Sequence, residues 1–487
     1  MKVLLFSPIV ELSYRPMAAP LGLMSIATYL NANGHQARIG TDVTSKRKII
    51  KEIESFSPDI IGVSVISAQF INNALLISKT AKKLGYTVIW GGTMASVIPA
   101  TSLESGVVDY VSLREGELTW LDIANAFDNH FSFDTIPGLA YLKNGSYIET
   151  EPRELLDLST LPRLDWTLIN PNNYFSASYG CKKSIHIYWS KGCVGNCSFC
   201  YNGDFNCSKR RERPLEYVID EMKYLINNFG ADGFEFTDDL MFANTNQMRT
   251  FCNAILENDL HFCWTCYLRI GIVNEPQDYE LMRQTGCRCL MFGIETGSKR
   301  IQHVIHKGIS EQKIKDNITA CSNAGIIPLT TFMMAFPDET EEDLKETIRL
   351  INQFDRANGI LNLLNPQPGT ELYDDLVKQN RIKPMKSLKQ YSKVRWGDNL
   401  YVNTSAVSTK ELYTIAHYYS LKSMFLKSDD TPEKHFWDTV KNVLKSMKNK
   451  GVVEFIRIVF LIFFKLISFF TLFLHPGIRK KYDLYFK

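Results

Sequence analysis

The repeated alternation of short apolar runs with longer amphipathic segments constrains this fold more than any other feature of the sequence. Between residues 1 and 125 the apolar runs include KVLLFSP, DIIGVSVIS and YTVIWGG, and segments of helical periodicity separate them. Strands that alternate with helices pair in parallel and are covered by helices on both faces. We therefore predict an α/β domain over residues 1–125, with a parallel sheet whose ligands bind at the carboxyl ends of the strands.

A second series of the same kind starts near residue 183, with SIHIYWS as its first strand. The predicted strands of this series lie near residues 184–189, 233–237, 262–268, 289–294, 327–334 and 360–364. Six β-α units are fewer than a closed eight-fold barrel needs, so the series predicts a partial (β/α)6 barrel over residues 183–384. We expect its chemistry at the carboxyl ends of the strands.

The segments around these two series have a different character. Residues 126–182 carry turn signals and one hairpin pattern, GLAYLKNGSYIE, with Asn-Gly at its tip, and we interpret them as a linker. From residue 385 to residue 487 the strand patterns give way to helical sequence that is rich in Lys and aromatic residues. This change predicts a separate helical C-terminal module.

The composition limits the environment and the partners of such a chain. Its 487 residues are 45% hydrophobic, which is enough for two or three domains with their own cores. A formal net charge of +3 gives no reason to expect a nucleic acid partner. The 11 cysteines are odd in number and lack framework spacing, which favours free thiols in a reducing compartment. Because no signal-peptide pattern follows the first apolar run, we predict a cytoplasmic protein.

Three of these cysteines lie within one short stretch, SKGCVGNCSFCY, directly after the first predicted barrel strand. Cys193, Cys197 and Cys200 supply three soft ligands from one loop, in which nearby glycines let the backbone curl. A zinc site would need a fourth protein ligand, and Cys263 and Cys266 are poorly placed because residues i and i+3 of a strand point to opposite faces. An iron–sulfur cluster with one open iron fits the spacing better. Three core thiols that happen to cluster are the structural alternative.

The stretch CVGNCSFC resembles the CxxxCxxC signature of radical S-adenosylmethionine (SAM) enzymes, including the aromatic Phe199 before the last cysteine. The resemblance implies a 4Fe-4S cluster on Cys193, Cys197 and Cys200, the metal-ligating and catalytic residues, with SAM chelating the open iron through its amino and carboxyl groups. It also implies reductive cleavage of SAM to a 5'-deoxyadenosyl radical that abstracts hydrogen from the substrate. Such chemistry requires a one-electron reductant such as flavodoxin or ferredoxin.

Other positions match the same family. FEFTDDLMF resembles its acidic F-x-D-D-x-F element and places Asp238 and Asp239 at the barrel mouth, with helix capping as the structural alternative. CLMFGIETGS resembles its G-x-E-[ST]-G element, which implies that Glu295 meets SAM and that Ser298 lies nearby. Arg269, at the end of the third barrel strand, is expected either to neutralise the SAM carboxylate or to pair with Asp238.

Two later stretches resemble the family less closely. FMMAFPDET stands where the family has G-x-P-G-E-T, but Ala335 and Asp338 replace the usual glycines. This departure weakens the expectation that the backbone packs closely on the adenine of SAM. PQPGTELYDDL resembles P-x-P-G-T-x-L-Y, and its Pro and Gly predict a structural turn near the end of the barrel.

The first domain resembles the flavodoxin-like cobalamin-binding domain that is fused to many radical SAM proteins, on PLGLMSIATYLNANGHQ, SPDIIGVSVIS, VIWGGTMASVIP and VSLREGELTW. Residues at its strand ends are the candidate cofactor contacts: Ser64, Gly91, Gly92, Thr93, Ser96, Glu115 and Glu117. Glycine at a strand end leaves room for a ring or a nucleotide tail beside the backbone. The cobalt-ligating D-x-H-x-x-G motif of some relatives is not matched, since Asp128 to His130 is followed by Phe133. A domain without a cofactor and a plain nucleotide domain are the alternatives.

Together these resemblances imply a cobalamin-dependent, class B radical SAM enzyme. We expect methyl transfer from methylcobalamin to an unactivated carbon of a hydrophobic small-molecule or lipid-like substrate. The alternatives are a radical oxidative cyclase or rearrangement enzyme of the porphyrin-cyclase type, and a non-catalytic corrinoid or SAM carrier. Methylthiolation of tRNA fits less well, because the sequence offers neither a second three-cysteine cluster nor a basic RNA module at the N-terminus.

The C-terminal module contains the apolar stretch EFIRIVFLIFFKLISFFTLFLHP, residues 454–476, and its most hydrophobic part spans residues 455–474. Its length approaches the roughly 20 residues of a transmembrane helix. Its polar residues, however, fall on one helical face: Arg457, Lys465, Ser468, Thr471 and His475. Basic flanks suit an anionic membrane surface. The pattern favours a peripheral, in-plane anchor on the inner face of the cell membrane, with a transmembrane span and a helix packed on the barrel as alternatives.

Overall fold

The described residues among the first 150 fold around a seven-stranded sheet. A computed structural model of the chain describes residues 1–9, 18–354, 359–394, 399–425 and 476–482. The strands of the first sheet are β1 (Lys2–Phe6), β2 (Gln36–Gly40), β3 (Ile60–Ser64), β4 (Thr87–Gly91), β5 (Tyr110–Ser112), β6 (Leu139–Lys143) and β7 (Ser146–Glu149). They lie in the order β2-β1-β3-β4-β5-β6-β7, and the first five pair in parallel. The predicted parallel α/β sheet is confirmed.

The hairpin predicted at GLAYLKNGSYIE extends this first sheet. Strand β6 pairs antiparallel with both β5 and β7. At its tip, Asn144 and Gly145 have φ values of 52° and 80°, the left-handed conformation that a two-residue hairpin turn requires. Residues 139–149, which the sequence pattern placed in a linker, therefore form the edge of the N-terminal sheet.

The second sheet is an open half-barrel of seven strands. Its strands are β8 (Ser176–Ser178), β9 (Cys181–Ile187), β12 (Gly233–Phe236), β13 (Cys263–Leu268), β14 (Cys287–Glu295), β15 (Ile327–Met334) and β16 (Gly359–Leu363). They lie in the order β16-β15-β14-β13-β12-β9-β8, and all except the edge strand β8 run parallel. A separate ribbon pairs β10 (Ser190–Lys191) with β11 (Arg211–Glu212). All six predicted barrel strands are present, and the prediction of a partial barrel is confirmed.

Helices connect the parallel strands, as the alternating pattern predicts. In the N-terminal domain they are α1 (Leu21–Ala32), α2 (Lys46–Phe56), α3 (Ile71–Lys83), α4 (Thr93–Val97), α5 (Pro99–Leu103) and α6 (Glu117–Asp128). In the barrel they are α7 (Asn202–Phe205), α8 (Leu215–Phe229), α9 (Thr245–Glu257), α10 (Pro276–Gln284), α11 (Lys299–Val304), α12 (Glu311–Asn323), α13 (Glu341–Ile351) and α14 (Glu371–Lys378). The described C-terminal residues form α15 (Leu388–Tyr391), α16 (Thr409–Phe425) and α17 (Pro476–Lys481).

The two sheets share one apolar core, which fixes them relative to each other. Trp120 and Ile123 on α6 belong to the same cluster of buried residues as Val218 and Met222 on α8. Trp166, from the segment between the sheets, is part of this cluster as well. The carboxyl ends of the N-terminal strands consequently lie beside the loop that follows β9.

The C-terminal module packs in part on the N-terminal domain. Leu388 and Tyr391 of α15 are buried in the apolar cluster that covers the other face of the first sheet. None of the helices in the described ranges is long and apolar enough to cross a membrane. The stretch 455–474, for which we predict an in-plane anchor, lies outside the described residues.

Candidate active site between the two sheets

The loop that carries the three cysteines begins at the ribbon strand β10 and is shaped by two glycines. Gly192 has a φ of 85°, and a β-carbon there would overlap the carbonyl oxygen of Lys209. At Gly195 a β-carbon would lie 3.3 Å from Cys193 Sγ and 3.9 Å from Cys197 Sγ. Both sulfurs lie close to Gly195, where any side chain would enter the space between them. Glycine at this position therefore keeps that space free, as a bound cluster needs.

The electrostatic environment of the three thiols is set by their mutual proximity and by two nearby cations. The pKa of Cys200 is raised to about 12, mainly by burial and with contributions from the neighbouring Cys197 and Cys193. Burial also raises the pKa of Cys197, although Lys307 and Arg269 oppose the shift. Iron ligation therefore has to displace protons from these sulfurs, and the two cations favour the thiolate form.

The donor set suits a cluster better than a single ion. Within the described ranges, no three His, Cys, Asp or Glu side chains converge as the ligands of one metal ion would. A 4Fe-4S cluster does not require such convergence, because each thiolate ligates a different iron. The residues present thus fit the cluster that the sequence implies, with Cys193, Cys197 and Cys200 as its holders.

Asp238 anchors the start of the cysteine loop. Its buried carboxylate accepts hydrogen bonds from the backbone N–H groups of Trp189 at 3.1 Å and Ser190 at 2.5 Å, and from the Ser190 hydroxyl at 2.5 Å. Burial raises the pKa of Asp238, while these bonds oppose the shift. The carboxylate neither caps a helix nor pairs with Arg269, so both of those structural alternatives are wrong.

Asp239 ties the two ends of the same loop together. Its Oδ2 accepts from the Gly192 N–H at 3.2 Å, and its Oδ1 accepts from the Tyr201 hydroxyl at 3.2 Å. The side chain is exposed and lines the cavity between the two domains. Of the two aspartates, Asp239 is therefore the one that a cofactor can reach.

Glu295 ends β14 in a strained conformation and faces the cluster loop. Its φ is 71°, and its Oε1 accepts a hydrogen bond from Lys307 Nζ at 3.0 Å, both side chains being only 11% exposed. A β-carbon at Gly293 would overlap that same Oε1, so glycine two residues earlier lets the carboxylate fold back over the strand. Gly297 is needed as well, because a β-carbon there would lie 2.7 Å from the Glu346 carbonyl oxygen. Non-glycine residues held at positive φ concentrate at functional sites.

Arg269 and Lys307 form the cationic side of this site. Arg269 Nη2 donates to the Lys307 carbonyl oxygen at 2.9 Å, and its Nη1 lies 2.9 Å from where a Gly195 β-carbon would be. Burial lowers the pKa of Lys307, but Glu295 and Cys197 outweigh it and raise the pKa above its usual value. A carboxylate and two cations beside the thiols match the ammonium and carboxylate of an amino acid such as SAM. Lys307 carries no motif signal and was missed in the sequence.

Ser298 and Phe199 have structural partners. The Ser298 hydroxyl donates to Asp343 Oδ1 at 2.6 Å and accepts from the Ile301 N–H at 3.3 Å as the N-cap of α11. Phe199 packs edge-on against Phe336, with ring centroids 6.3 Å apart. Both side chains hold the walls of the site, and a direct contact with SAM stays a prediction for each.

The turn after β15 keeps a glycine-type backbone without the glycines. Ala335 and Asp338 have φ values of 72° and 58°, the region that favours glycine. The buried Glu339 holds the turn, since its Oε2 accepts from the Ala335 N–H at 2.6 Å and the Phe336 N–H at 3.3 Å. Burial raises the pKa of Glu339 to about 8, and the two backbone bonds oppose that shift. The substitutions at these positions thus leave the turn in the conformation that glycines would give.

A cavity lies between the carboxyl edge of the first sheet and the cysteine loop. It contains about 910 Å³ of space free of protein atoms, part of it open to solvent. Its wall on the N-terminal side includes Ser64, Gly91, Gly92, Thr93, Ser112, Arg114, Glu115 and Glu117, and its wall on the barrel side includes Lys191, Tyr201, Phe205, Asn206 and Asp239. Six of the seven predicted corrinoid contacts are therefore brought together.

Ser96 is the predicted contact that does not line this cavity. Its hydroxyl donates to the Gly92 carbonyl oxygen at 3.0 Å and accepts from the Arg114 N–H at 2.9 Å. Ser112, in contrast, was missed in the sequence although it ends β5 at the cavity wall. Its side-chain oxygen is buried and has no hydrogen-bond partner among the described residues. An orphaned hydroxyl beside an open cavity fits the polar groups of a corrinoid, as do the small residues around it.

The acidic residues Glu115 and Glu117 bind the other domain. Lys191 Nζ lies 2.6 Å from Glu117 Oε1 and 3.4 Å from Glu115 Oε1, and Arg211 Nη1 lies 2.7 Å from Glu115 Oε2. Ser25 donates to Glu117 Oε1 at 2.6 Å. Burial lowers the pKa of Lys191, but the carboxylates of Glu117 and Glu115 outweigh this effect and raise the pKa above its usual value. We name Glu115, Glu117, Lys191 and Arg211 the interdomain latch, because it joins the N-terminal domain to the ribbon that leads into the cysteine loop.

Comparisons with known proteins agree with the two-domain arrangement. Residues 9–124 match the B12 binding domain, and residues 187–351 match the radical SAM superfamily. An uncharacterized methyltransferase of Pyrococcus horikoshii is 29% identical over 398 residues, which cover 79% of this chain and 85% of that protein. An anaerobic magnesium-protoporphyrin IX monomethyl ester cyclase of Rubrivivax gelatinosus is 23% identical over 369 residues, covering 73% of this chain and 66% of the cyclase.

The fold has a solved counterpart. The radical SAM methyltransferase TsrM from Kitasatospora setae, solved with cobalamin and a [4Fe-4S] cluster bound, superposes with a TM-score of 0.66 over 78% of this chain and 75% of TsrM, at 19% identity. That likeness shows a shared arrangement of the two sheets. With both family domains matched in order, the chain belongs to the family of radical SAM enzymes with a cobalamin-binding domain, whose cofactors are a 4Fe-4S cluster, SAM and cobalamin.

Proposed function

We propose that the protein transfers a methyl group from methylcobalamin to an unactivated carbon of a hydrophobic substrate. The observation that carries this proposal is the shared cavity. Its N-terminal wall consists of the strand ends with Gly91 and Gly92, and its other wall consists of Lys191, Tyr201 and Asp239 around the cysteine loop. A corrinoid in this cavity would therefore border the place where the substrate radical forms.

The residues of the chain divide this work between them. When bound, the cluster supplies the electron that cleaves SAM to methionine and a 5'-deoxyadenosyl radical, and methylcobalamin supplies the methyl group. Cys193, Cys197 and Cys200 hold the cluster. Glu295 and the cations beside it orient the charged end of SAM, because a buried carboxylate and partly buried cations bind opposite charges strongly.

The similar proteins support methyl transfer and also suggest the main alternative reaction. A methyltransferase and a cyclase are both among the similar proteins. Methyl-labelled SAM distinguishes the two reactions, since label moves into the product only if a methyl group is transferred. An unlabelled, dehydrogenated product would favour the cyclase.

The substitution Cys197→Ala tests whether the protein is a radical enzyme at all. With one of three cluster ligands removed, we expect reductive cleavage of SAM to 5'-deoxyadenosine to fall below detection in anaerobically reconstituted protein. The matched control is Cys207→Ala, which removes an exposed thiol outside the signature and should retain its iron. If SAM cleavage survives in the Cys197 variant, the cluster on these three cysteines is not its source and the proposal is wrong. If the unaltered, reconstituted protein cleaves no SAM, the protein is a carrier of corrinoid or SAM, and the proposal is wrong as well.

We propose further that the substrate is taken from a membrane surface. The support is the amphipathic pattern of residues 455–474 with its basic flanks. Carbonate washing of membranes should release the full-length protein, as it does for peripheral helices. Retention after the wash would favour a span, and recovery entirely in the supernatant before the wash would contradict any membrane role.

A further inference from the structure

One face of the half-barrel carries a row of polar side chains that the reaction described above does not use. His186 lies in register with Glu235, Glu235 with Thr265, and Thr265 with Cys289, across four neighbouring parallel strands. Residues in register on adjacent strands point to the same face of a sheet. The four side chains therefore share a face, near the middle of the sheet.

This face is the inner one, which also carries the SAM-binding end of β14. Side chains alternate along a strand, so Cys289 and Gly293 share a face. The carboxylate of Glu295 folds back to the position of a Gly293 β-carbon, which puts that carboxylate on the same face. On the opposite face, Phe234 and Trp264 are fully buried in the core beneath the helices.

The polar row borders open space. The side chains of His186 and Glu235 are 22% and 21% exposed although their strands lie inside the sheet, and His186 Nε2 is 3.7 Å from Glu235 Oε2. Tyr267, which lies two residues after Thr265 on β13 and so on the same face, is 45% exposed. Two polar atoms of this wall, His186 Nδ1 and Thr265 Oγ1, have no hydrogen-bond partner within the described residues. Leaving such atoms unpaired costs about 1–3 kcal/mol each, which a ligand or an ordered water can relieve.

The facing wall is apolar. Met291 on β14 lies in register with Leu329 on β15, and Thr331, two residues further, lies in register with Ile360 on β16. Met291, Leu329 and Ile360 are all half-buried and share the inner face with Cys289 by alternation. The half-barrel thus has a polar wall on β9, β12 and β13 and an apolar wall on β14, β15 and β16.

We propose that the half-barrel binds an amphipathic substrate that donates a hydrogen bond to Glu235 through a hydroxyl or amino group, with its apolar part against Met291, Leu329 and Ile360. This inference rests on the proposed function, because it assigns the substrate site of that reaction. Glu235 offers acceptor oxygens, and His186 and Thr265 offer further partners beside it. A substrate with a carboxylate at this position would face Glu235 and be repelled.

Ligand-detected NMR with the holoenzyme tests the proposal with three probes of equal chain length: 1-octanol, octylamine and octanoate. We expect octanol and octylamine to bind at least about tenfold more tightly than octanoate. Glu235→Gln should weaken octylamine by about tenfold and octanol less, while the control Glu257→Gln on the exposed side of α9 should change neither. Met291→Trp, which fills the space from the apolar wall, should weaken both.

The outcomes separate this inference from the proposed function. Equal binding of octanoate, or unchanged binding of octanol and octylamine in the Glu235 and Met291 variants, would overturn the inference. The comparison of the three probes on unaltered holoenzyme decides even if a variant fails to fold. Failure of SAM cleavage or of methyl labelling would overturn the proposed function instead, and neither reaction enters the NMR measurement.

Discussion

The carboxyl edges of the two parallel sheets face each other, yet they are built from opposite kinds of residue. The N-terminal strands end in small, uncharged residues such as Ser64, Gly91 and Ser112. The barrel strands and their loops end in thiols and charges, such as Cys197 and Glu295. Both sheets bind ligands at the same edge, so the difference lies in what each edge contributes. Small residues leave space for a large cofactor that brings its own chemistry, whereas thiols and charges are suited to specific bonds with a cluster and with SAM.

The charges of the N-terminal edge confirm this division, because they act between domains. Glu115 and Glu117 were predicted as cofactor contacts, and in the structure their oxygens accept from Lys191 and Arg211. The interdomain latch therefore connects the carboxyl edge of the N-terminal sheet to the loop at the carboxyl edge of the barrel. We expect substitutions at the latch, at the barrel edge and at the N-terminal edge to have effects that differ in size and in kind.

The largest effect is expected for Lys191→Met in the latch. Removing the cation leaves Glu115 and Glu117 close together in a partly buried setting. Loss of one partner of a buried ion network costs about 3–5 kcal/mol. We expect a lower midpoint of thermal unfolding and faster proteolysis between the two domains. The matched control is Lys82→Met, which breaks a 2.8 Å pair with Asp109 inside the N-terminal domain. Equal effects of the two substitutions would show that the latch has no special role.

A smaller effect, on SAM alone, is expected for Glu295→Gln at the barrel edge. Truncating one partner of a buried charge pair typically costs about 2–5 kcal/mol of binding, so the affinity of the reconstituted protein for SAM should fall about 30-fold or more. Equilibrium dialysis under anaerobic conditions measures this affinity. The control Glu311→Gln removes a comparable 2.8 Å pair with Lys315 from the surface of α12 and should cost less than about 1 kcal/mol of stability. Unchanged SAM binding in the Glu295 variant would exclude it as a SAM contact.

At the N-terminal edge, Gly91→Leu should reduce corrinoid binding by filling space. A β-carbon at Gly91 would lie 3.7 Å from the nearest protein atom, the Ser112 carbonyl oxygen, so the domain tolerates it. The rest of the leucine enters the cavity, and overpacking of this kind costs about 1–3 kcal/mol, or about 5- to 160-fold in affinity for hydroxocobalamin. Thr87→Leu at the opposite end of the same strand is the control. If both variants bind hydroxocobalamin like the unaltered protein, the corrinoid does not lie against Gly91.

Much of this architecture could be read from local sequence patterns. The strands follow from apolar runs of the right length, and the cysteine loop follows from the spacing of its ligands and glycines. Gly293 also shows why the motif around Glu295 has its form, since a side chain there would overlap the Glu295 carboxylate. Such features depend on residues that are close in the chain, and sequence patterns record them.

Features that depend on distant residues could not be predicted. Lys307 meets Glu295 from beyond α11, and Lys191 meets Glu117 from 74 positions away. Asp238 matched the motif but is committed to the backbone of Trp189 and Ser190. A motif gives the residue types at a site, and tertiary packing decides which of them face the ligand.

The smallest effect is expected for Ser112→Ala, and its sign separates ligand binding from stability. Because the Ser112 hydroxyl has no partner among the described residues, removing it should leave the stability of the cofactor-free protein unchanged or slightly higher. If a corrinoid polar group completes that hydrogen bond, the variant loses about 0.5–1.5 kcal/mol of binding, or about 2- to 12-fold in hydroxocobalamin affinity. Ser102→Ala is the control, since that equally buried hydroxyl already donates to the Ile98 carbonyl oxygen at 2.9 Å. It should lose stability and keep its affinity. Unchanged hydroxocobalamin affinity in the Ser112 variant would mean that the corrinoid makes no hydrogen bond to this hydroxyl.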